Sequence, residues 1–311
     1  MYWPPRSFNT SRMARPEQLA FACALTLTAC MPQKNLHPDI HGHRGCRGLR
    51  PENSLPAFLK ATELGCDFLE MDVVMSGDGQ VIVSHEPWMR HDLCLTPDGE
   101  PITPENERNY NLYRMTALEI SRFDCGSLED VEHPDKDQRV AYKPTLAEVL
   151  EAVDEHALFS GVPPPSFNIE IKSDPALYGT FQPEPRALAL MMIHAIDSLG
   201  MADRCLLQSF DTAVLEVIHT ERPEIPLALL VENEGTLDEH LASLTFTPAI
   251  YSPHFSMANE ALLNAVRAKE MELVVWTVNE PADIRRMLDL GVDGIISDYP
   301  DRVIKVMENR E

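Results

Sequence analysis

Runs of β-branched and apolar residues alternate with helix-like runs along this 311-residue chain, and the alternation limits its fold more than any other feature. The strand candidates of the second half are Cys205 to Ser209, Leu227 to Val231, Ile250 to Ser252, Leu273 to Val278 and Gly294 to Ser297. Helical patterns lie near 186–199, 211–220, 236–243, 258–269 and 281–290. Because strands that alternate with helices form parallel sheets, we predict an α/β protein, a (β/α)₈ TIM-type barrel.

The first half adds four strand candidates, which makes nine for the eight places of a barrel: Ile40 to His43, Cys66 to Met75, Val81 to Ser84 and Phe167 to Ile171. The turn-forming residues 76–79 leave no room for a helix between the second and third, so a hairpin is expected there. Residues 86 to about 143 are polar, rich in proline, and too long for an ordinary barrel loop. We therefore expect a barrel domain over 38–311 with a small insertion, about 86–143, after the third strand.

Polar strings occur where several of these strands end. They are His41-Gly42-His43-Arg44-Gly45, Pro51-Glu52-Asn53-Ser54, Glu70-Met71-Asp72, His85, and Glu170-Ile171-Lys172. In a parallel barrel the strand ends converge on one face, where catalysis usually takes place. Histidines can transfer protons, acids can hold a hard cation, and an arginine with a lysine can bind an anion. Together these strings predict one site for a phosphodiester.

The acids of the second strand favour a bound cation. Glu70 and Asp72 are two residues apart, so their side chains face the same side of the strand. Their neighbours are apolar, and burying carboxylates in such a strand is costly without a cation or hydrogen bonds. With Glu170 they make three oxygen ligands, a set that suits one Mg²⁺ or Ca²⁺. A solvated strand face is the alternative for such a pair.

Composition narrows the range of partners. The apolar fraction of 44% and charged fraction of 24% are those of a soluble globular protein. The formal net charge of −23 argues against nucleic acid, which would repel this surface, and against electrostatic docking on anionic lipid.

The N-terminal residues differ from the rest and favour export. An apolar run from Leu19 to Ala29 has the length of a signal-peptide core and is too short to span a bilayer. The ending Leu27-Thr28-Ala29-Cys30 resembles a bacterial lipobox, in which the cysteine is lipidated. Residues 1–29 are therefore expected to be a signal peptide, with a disordered extension as the alternative. A lipidated Cys30 would attach a periplasmic or surface protein to the membrane.

Seven cysteines are present. Export and lipidation would leave five, an odd number at wide spacings and without a Cys-x-x-Cys pair. We expect neither a disulfide framework nor a zinc site. Cys46, beside the histidine motif, is expected to be a packed thiol.

From His41 nearly to its end, the chain resembles the glycerophosphodiester phosphodiesterases. The matching strings are HGHRG with PENS at 41–54, EMD at 70–72, VIVSH at 81–85, NIEIK at 168–172, LQSF at 207–210, VVWTVN at 274–279 and GVDGIISDYP at 291–300. The resemblance implies a barrel with a small insertion after the third strand. It also implies hydrolysis of a small-molecule glycerophosphodiester through a cyclic phosphate, which releases glycerol 3-phosphate and an alcohol.

The resemblance implies that His43 and His85 are the general acid and base, without indicating which is which. Arg44 and Lys172 would bind the phosphoryl oxygens. For Lys172, a salt bridge with Glu170 and no substrate contact is the alternative. Because Glu86 follows His85 where the family usually has aspartate, the orientation of His85 is left open.

Other positions are implied less directly. Trp276 corresponds to the family's wall for the glycerol moiety, with a core position as the alternative on the residues alone. We predict Phe210, which also ends a later strand, as a second aromatic substrate contact. Glu52 matches a metal-ligand or nearby position, but it could instead anchor the first loop. We assign His41 a structural role, and Gln208, Asn279 and Asp298 supporting polar roles.

Two other functions remain open. The first is lysophospholipase D activity within the same superfamily, which would need an apolar groove for an acyl chain. The second is a surface lipoprotein that uses the barrel to bind a partner. A metal-dependent sugar isomerase is disfavoured, because the HGHRG and NIEIK cations suit an anionic substrate.

Overall fold

The computed structural model describes residues 37–310, so the predicted signal peptide and Cys30 lie outside the described residues. The strands are β1 (Asp39–Gly42), β2 (Phe68–Met75), β3 (Val81–Val83), β4 (Ser166–Ile171), β5 (Cys205–Ser209), β6 (Leu227–Val231), β7 (Ile250–Pro253), β8 (Glu272–Val275) and β9 (Gly294–Ser297). The helices are α1 (Leu55–Leu64), α2 (Ala117–Ile120), α3 (Leu146–Ser160), α4 (Pro185–Leu199), α5 (Thr212–Glu221), α6 (Leu237–Leu241), α7 (Glu260–Ala268), α8 (Pro281–Leu290) and α9 (Pro300–Glu308).

Eight parallel strands form a closed barrel, which confirms the predicted fold. Their order is β1-β9-β8-β7-β6-β5-β4-β2, and the pairing of β1 with β2 closes the ring. The ninth strand, β3, is antiparallel to β2 and lies outside the alternation, as the hairpin prediction required. Helix α9 was not among the predicted elements. Within residues 37–310, no helix combines the length and apolar character needed to cross a bilayer.

Successive side chains along each strand point alternately into the barrel and toward the surrounding helices. Glu70 and Asp72 point into the barrel, whereas Leu69, Met71 and Val73 are fully buried in the outer core beneath the helices. The interior is filled by one layer of apolar side chains, Leu206, Ala228, Ile250, Val274 and Ile296. This layer closes the barrel below the strand ends, so the polar side chains stand above a packed floor.

The segment between β3 and α3 forms a small core of its own. Met89, Ile102, Leu112, Ile120 and Phe123 are buried there, and they pack on Val74 and Ile82, on the face of the β2–β3 hairpin that continues the inner face of β2. Two short 3₁₀ turns, at 107–109 and 112–114, and helix α2 are the regular elements of this segment. Thr145 caps α3, where the chain returns to the barrel.

A disulfide joins Cys94 to Cys125, which are 31 residues apart, so the expectation that the cysteines form no disulfide was wrong for this pair. Both lie in the inserted segment, and its chain reversals bring them together. Cysteine count and spacing carry no information about such reversals. Cys46 is a free, buried thiol, as expected, and burial raises its pKa to about 12. Cys66 and Cys205 are also free and buried.

Candidate active site

The predicted side chains meet around one cavity of about 410 Å³ at the carboxyl ends of the strands. Both histidines, both cations and both aromatics line it: His43, His85, Arg44, Lys172, Phe210 and Trp276. Glu70 and Glu170 reach it as well, whereas Asp72 and Glu52 are buried behind them. Parallel register explains the convergence, because Asp72 lies beside Glu170 and Glu170 beside Gln208 on neighbouring strands.

The loop after β1 is shaped by two glycines and two left-handed residues. A Cβ at Gly42 would lie 2.1 Å from the Gly45 carbonyl oxygen, and one at Gly45 would meet the backbone of Ala57 at 2.7 Å. Arg44 and Asn53 adopt φ values of 49° and 52°. This tight path turns the Arg44 guanidinium and the Asn53 amide toward the carboxylates of β2.

Glu70, Asp72 and Glu170 bring one carboxylate oxygen each to within 4.8 Å of one another. Glu70 accepts hydrogen bonds from the Arg44 backbone N–H at 2.8 Å and from Gln208 Nε2 at 3.0 Å. Burial, together with the charge of Asp72, raises the pKa of Glu70 well above its ordinary value. The three carboxylates therefore repel one another, and an added positive charge would reduce this repulsion.

Asp72 is the member of the group best suited to a cation. Its Oδ2 accepts a hydrogen bond from Asn53 Nδ2 at 2.8 Å, but its buried Oδ1 has no hydrogen-bond partner. Burial opposes its ionisation, yet the charges of Arg44 and Lys172 and the hydrogen bond from Asn53 help to hold the pKa of Asp72 well below its ordinary value. A charged, buried oxygen without a donor fits a hard divalent cation, so these three residues fit the predicted metal.

The two ring nitrogens of His43 face different carboxylates, one that of Asp298 and the other that of Glu70. Its Nδ1 lies 2.5 Å from Asp298 Oδ1, and its Nε2 lies 3.9 Å from Glu70 Oε2. Burial lowers the pKa of His43, although Asp298 acts in the opposite direction. The imidazole is therefore neutral near pH 7, with its proton on the Nδ1 that donates to Asp298. This leaves the Nε2 lone pair free to accept a proton.

Glu86 orients His85, which settles the open question about the residue after this histidine. Glu86 Oε1 lies 2.7 Å from His85 Nδ1, and His85 Nε2 lies 3.0 Å from Lys172 Nζ. Because an ammonium only donates, Nε2 accepts from Lys172 and Nδ1 carries the proton that is donated to Glu86. His85 and His43 thus both present Nε2 toward the cavity region.

Lys172 makes the salt bridge with Glu170 that was the alternative to a substrate contact, and it still borders the cavity. Its Nζ lies 2.6 Å from Glu170 Oε1 and 3.8 Å from Asp72 Oδ1. Burial would lower the pKa of Lys172, but these two carboxylates raise it above its ordinary value. The ammonium is therefore permanently charged, and the salt bridge does not preclude a contact with an anionic ligand.

Arg44 is buried among carboxylates, and Glu52 belongs to its surroundings. Arg44 Nη1 donates to Glu52 Oε1 at 2.8 Å, and Nε lies 3.2 Å from Asp72 Oδ2. Glu52 also lies 3.6 Å from Arg47 Nε. The contacts of Glu52 are those of an anchor for the first loop, while Arg44 connects this anchor to the carboxylate group.

Replacing Glu52 with glutamine should lower the free energy of unfolding by about 1.5–3 kcal/mol, because it removes the charge paired with Arg44. Burial opposes ionisation, but Arg44 and Arg47 hold the pKa of Glu52 below its ordinary value of 4.5. The stabilisation is therefore present above the unfolded-state pKa and is lost as the pH falls toward the folded-state pKa.

Urea unfolding of metal-free protein should show the lower stability of Glu52→Gln at about pH 7. The difference in free energy of unfolding between wild type and Glu52→Gln should begin to narrow at about pH 4. Glu63→Gln, on the exposed side of α1, is the matched control. Equal stability of Glu52→Gln and wild type at neutral pH would contradict the anchoring role.

The two aromatic side chains form one wall of the cavity. The Phe210 and Trp276 rings are perpendicular, with centroids 5.6 Å apart, and Trp276 Nε1 donates to the Ser252 carbonyl oxygen at 2.8 Å. Phe210 is 42% exposed, so its ring is open to a ligand. A second cavity of about 520 Å³ shares Phe210, His85 and Lys172 with the first and extends between the loops on the His85 side.

Some residues around the site were assigned only generally or not at all. His41 is buried, stacks on Phe68 and contacts Asn168, and burial lowers its pKa to about 3, as suits a structural residue. Arg47 lines the cavity and was not predicted, although its place three residues after Arg44 was an available signal. His133, which contacts Asp298 at 3.5 Å, was also missed, and no sequence pattern pointed to it.

Comparisons with known proteins agree with this arrangement. The model of the glycerophosphoryl diester phosphodiesterase family matches residues 43–302. A glycerophosphodiester phosphodiesterase from Bacillus subtilis is 29% identical over 273 residues, which are 85% of this chain and 84% of that protein.

Solved structures are similar as well. One, from Silicibacter pomeroyi DSS-3 and provisionally assigned as a glycerophosphoryl diester phosphodiesterase, has a TM-score of 0.77 and 29% identity over 88% of this chain and 94% of that one. An Oleispira antarctica phosphodiesterase, solved with its product sn-glycerol-3-phosphate, has the same fold, with a TM-score of 0.68 and 22% identity over 87% and 97% of the two chains. With a family match that covers most of its length, the chain belongs to the glycerophosphoryl diester phosphodiesterase family.

Proposed function

We propose that this protein hydrolyses glycerophosphodiesters to glycerol 3-phosphate and an alcohol with the help of one divalent cation. The observation that carries the proposal is the cavity where two oriented histidines, a buried carboxylate group and two fixed cations meet. The names of the similar proteins, and the product bound to the Oleispira antarctica relative, support the same reaction class.

Glu70, Asp72 and Glu170 would hold the cation, Mg²⁺ or Ca²⁺, since their oxygens are hard ligands. When bound, such a cation acts as a Lewis acid toward phosphoryl oxygen and lowers the pKa of a hydroxyl group. Arg44 and Lys172 add positive charge on either side of the carboxylates, which would bind and orient the anionic phosphodiester. The Phe210–Trp276 wall would contact the glycerol moiety.

We assign His43 as the first base and His85 as the first acid. His43 Nε2 carries no proton and would accept the proton of the attacking glycerol hydroxyl as the new oxygen–phosphorus bond forms. His85 borders the second cavity, which His43 does not reach, so the departing alcohol would lie there. His85 would act as the acid in its doubly protonated form, in which Nδ1 still donates to Glu86, Lys172 no longer donates to Nε2, and Nε2 gives its proton to the alcohol. Water would then open the cyclic phosphate with the two roles reversed, which restores both histidines.

Release of glycerol 3-phosphate from glycerophosphocholine should stop in EDTA and return with Mg²⁺ or Ca²⁺. We expect this because EDTA removes the cation, and with it the positive charge that balances the buried carboxylates. A coupled glycerol 3-phosphate assay measures the rate, with mock-treated protein as the control. Turnover unaffected by EDTA would contradict the metal, and absence of release with any metal from folded protein would contradict the substrate class.

Acylated glycerophosphocholine distinguishes the lysophospholipase D alternative. Among the large hydrophobic side chains that are exposed in residues 37–310, only Phe210 borders the site cavities, and the second cavity mixes the apolar Trp88 and Leu177 with the acids Glu86, Asp174 and Asp211. We therefore expect slower turnover of the acylated form. Turnover of the acylated form that is faster than that of glycerophosphocholine would favour lysophospholipase D activity. The binding-protein alternative needs a separate test: equal binding of a partner by wild-type and catalytically inactive protein would favour it.

Export with lipidation at Cys30 remains our proposal for the location of the protein, periplasmic or membrane-anchored. It rests on the apolar run and lipobox-like string of the sequence. Labelled palmitate should be incorporated by the wild-type chain in a bacterial host and not by Cys30→Ser. Equal labelling of both would remove the proposal.

A further inference from the structure

The inserted segment places a buried side chain, His133, against the acid that holds His43. Its Nε2 lies 3.5 Å from Asp298 Oδ2, and the other oxygen of Asp298 lies 2.5 Å from His43 Nδ1. His133 is only 5% exposed, whereas Val131, two residues earlier, is 88% exposed. The segment is thus largely open to solvent, yet it buries an imidazole against the acid that holds His43.

His133 is itself held in place. Its Nδ1 lies 3.0 Å from Asp130 Oδ2, and its backbone N–H donates to Asp130 Oδ1 at 3.2 Å. The buried Lys136 ammonium contacts the same Asp130 carboxylate. The two ring nitrogens of His133 therefore face two different carboxylates, Nδ1 that of Asp130 and Nε2 that of Asp298.

Asp298 is consequently fixed from several directions. Asn279 Nδ2 donates to Oδ2 at 2.7 Å, next to His133, and Arg47 Nε lies 3.8 Å from Oδ1. Burial alone would raise the pKa of Asp298, but His43, His133 and Arg47 hold it well below its ordinary value. A carboxylate whose two oxygens have separate partners cannot rotate freely, so its tilt fixes the direction of the His43 ring.

We propose that His133, held by Asp130, is a positioning residue for the reaction: it fixes Asp298 and, through Asp298, the ring of His43. The chain Asp130–His133–Asp298–His43 makes the inserted segment part of the catalytic arrangement. A packing role alone would be met by an apolar side chain, whereas a buried imidazole is costly unless its hydrogen bonds are made. The expected effect of His133 on kcat rests on the proposed function.

The first test compares His133→Phe, which keeps a ring of similar size without donors, with His133→Gln, which keeps one donor. Val131→Ala, in the same segment, is the control. For release of glycerol 3-phosphate at saturating metal, we expect His133→Phe to lower kcat roughly 10- to 100-fold with KM little changed. His133→Gln should recover part of the loss, and Val131→Ala should match wild type.

A double-mutant cycle separates positioning from a loss of folded protein. All kcat values are normalised to the folded fraction from unfolding curves. If His133 acts through Asp298, His133→Phe should lower kcat little further in an Asp298→Asn background. An equal loss in both backgrounds, or a normal kcat for His133→Phe, would overturn the proposal. Should His133→Phe fail to fold, Asp130→Asn replaces it in the same cycle with the same expected and contradicting outcomes.

Proton NMR provides a readout that needs no turnover. The His43–Asp298 hydrogen bond should give a low-field resonance in wild type that is absent from His43→Ala and Asp298→Asn. It should shift or broaden in His133→Phe and stay in place in Val131→Ala. An unchanged resonance in His133→Phe would overturn the positioning role, even if the protein released no glycerol 3-phosphate and the proposed function had failed.

Discussion

His43→Ala should lower kcat for glycerol 3-phosphate release by about 10²- to 10⁴-fold, the range for loss of a general base. His43 Nε2 is the unprotonated nitrogen beside the carboxylate group, because Asp298 holds the proton on Nδ1. Alanine removes the proton acceptor and leaves the proposed metal ligands in place, so KM should change much less than kcat. The measurement is the coupled assay at saturating metal, normalised to folded protein.

Two controls make this result specific. His194→Ala removes an exposed histidine of α4 and should match wild type. Imidazole added to His43→Ala should restore part of the rate, since it can occupy the space of the missing ring. A kcat within about twofold of wild type in His43→Ala would contradict its role as the base.

His85→Ala extends the test to the acid. A glycerophosphodiester whose leaving alcohol is p-nitrophenol needs little protonation, because that phenolate is a stable leaving group. It should therefore largely restore the rate of His85→Ala and leave His43→Ala slow. The opposite pattern would exchange the two assignments.

Asp72→Asn should weaken metal binding by at least about 100-fold and lower kcat at low metal concentration accordingly. The aspartate supplies the buried Oδ1 without a hydrogen-bond partner, and it contacts both Arg44 and Lys172. The amide keeps the shape and removes the negative charge. Isothermal titration of metal-free protein with Mg²⁺ or Ca²⁺ measures the binding independently of activity.

Asp289→Asn is the matched control, because that carboxylate is on the surface and contacts Arg310. It should bind metal and turn over substrate as wild type does. If Asp72→Asn bound metal as tightly as wild type, Asp72 would not be a ligand. If it bound weakly but reached wild-type kcat at high metal concentration, its role would be confined to metal affinity.

Much of the site was predictable because it depends on local rules. Glu70, Asp72 and Glu170 share the inner face of the wall because side chains alternate along strands, and parallel strands bring their ends together. The hairpin followed from the turn residues after β2. These features need only the identity of nearby residues.

The partners of these residues were harder to predict. The sequence left Lys172 between a salt bridge and a ligand contact, and Glu52 between a metal ligand and an anchor. The structure places Lys172 on Glu170 at the cavity edge and Glu52 on Arg44. Such contacts depend on side-chain directions across a turn with left-handed backbone, which a linear pattern does not specify.

Periodicity and chain order were enough to predict the barrel and the side chains at its strand ends. How those side chains are held in place could be seen only in the folded chain. Asp298 meets His43 across 255 residues of sequence and His133 across 165, and Cys94 pairs with Cys125 inside an aperiodic segment. The physical reason is that these contacts arise from the closure of the barrel and the folding of the insertion onto it, which bring together residues with no short-range relation in the chain.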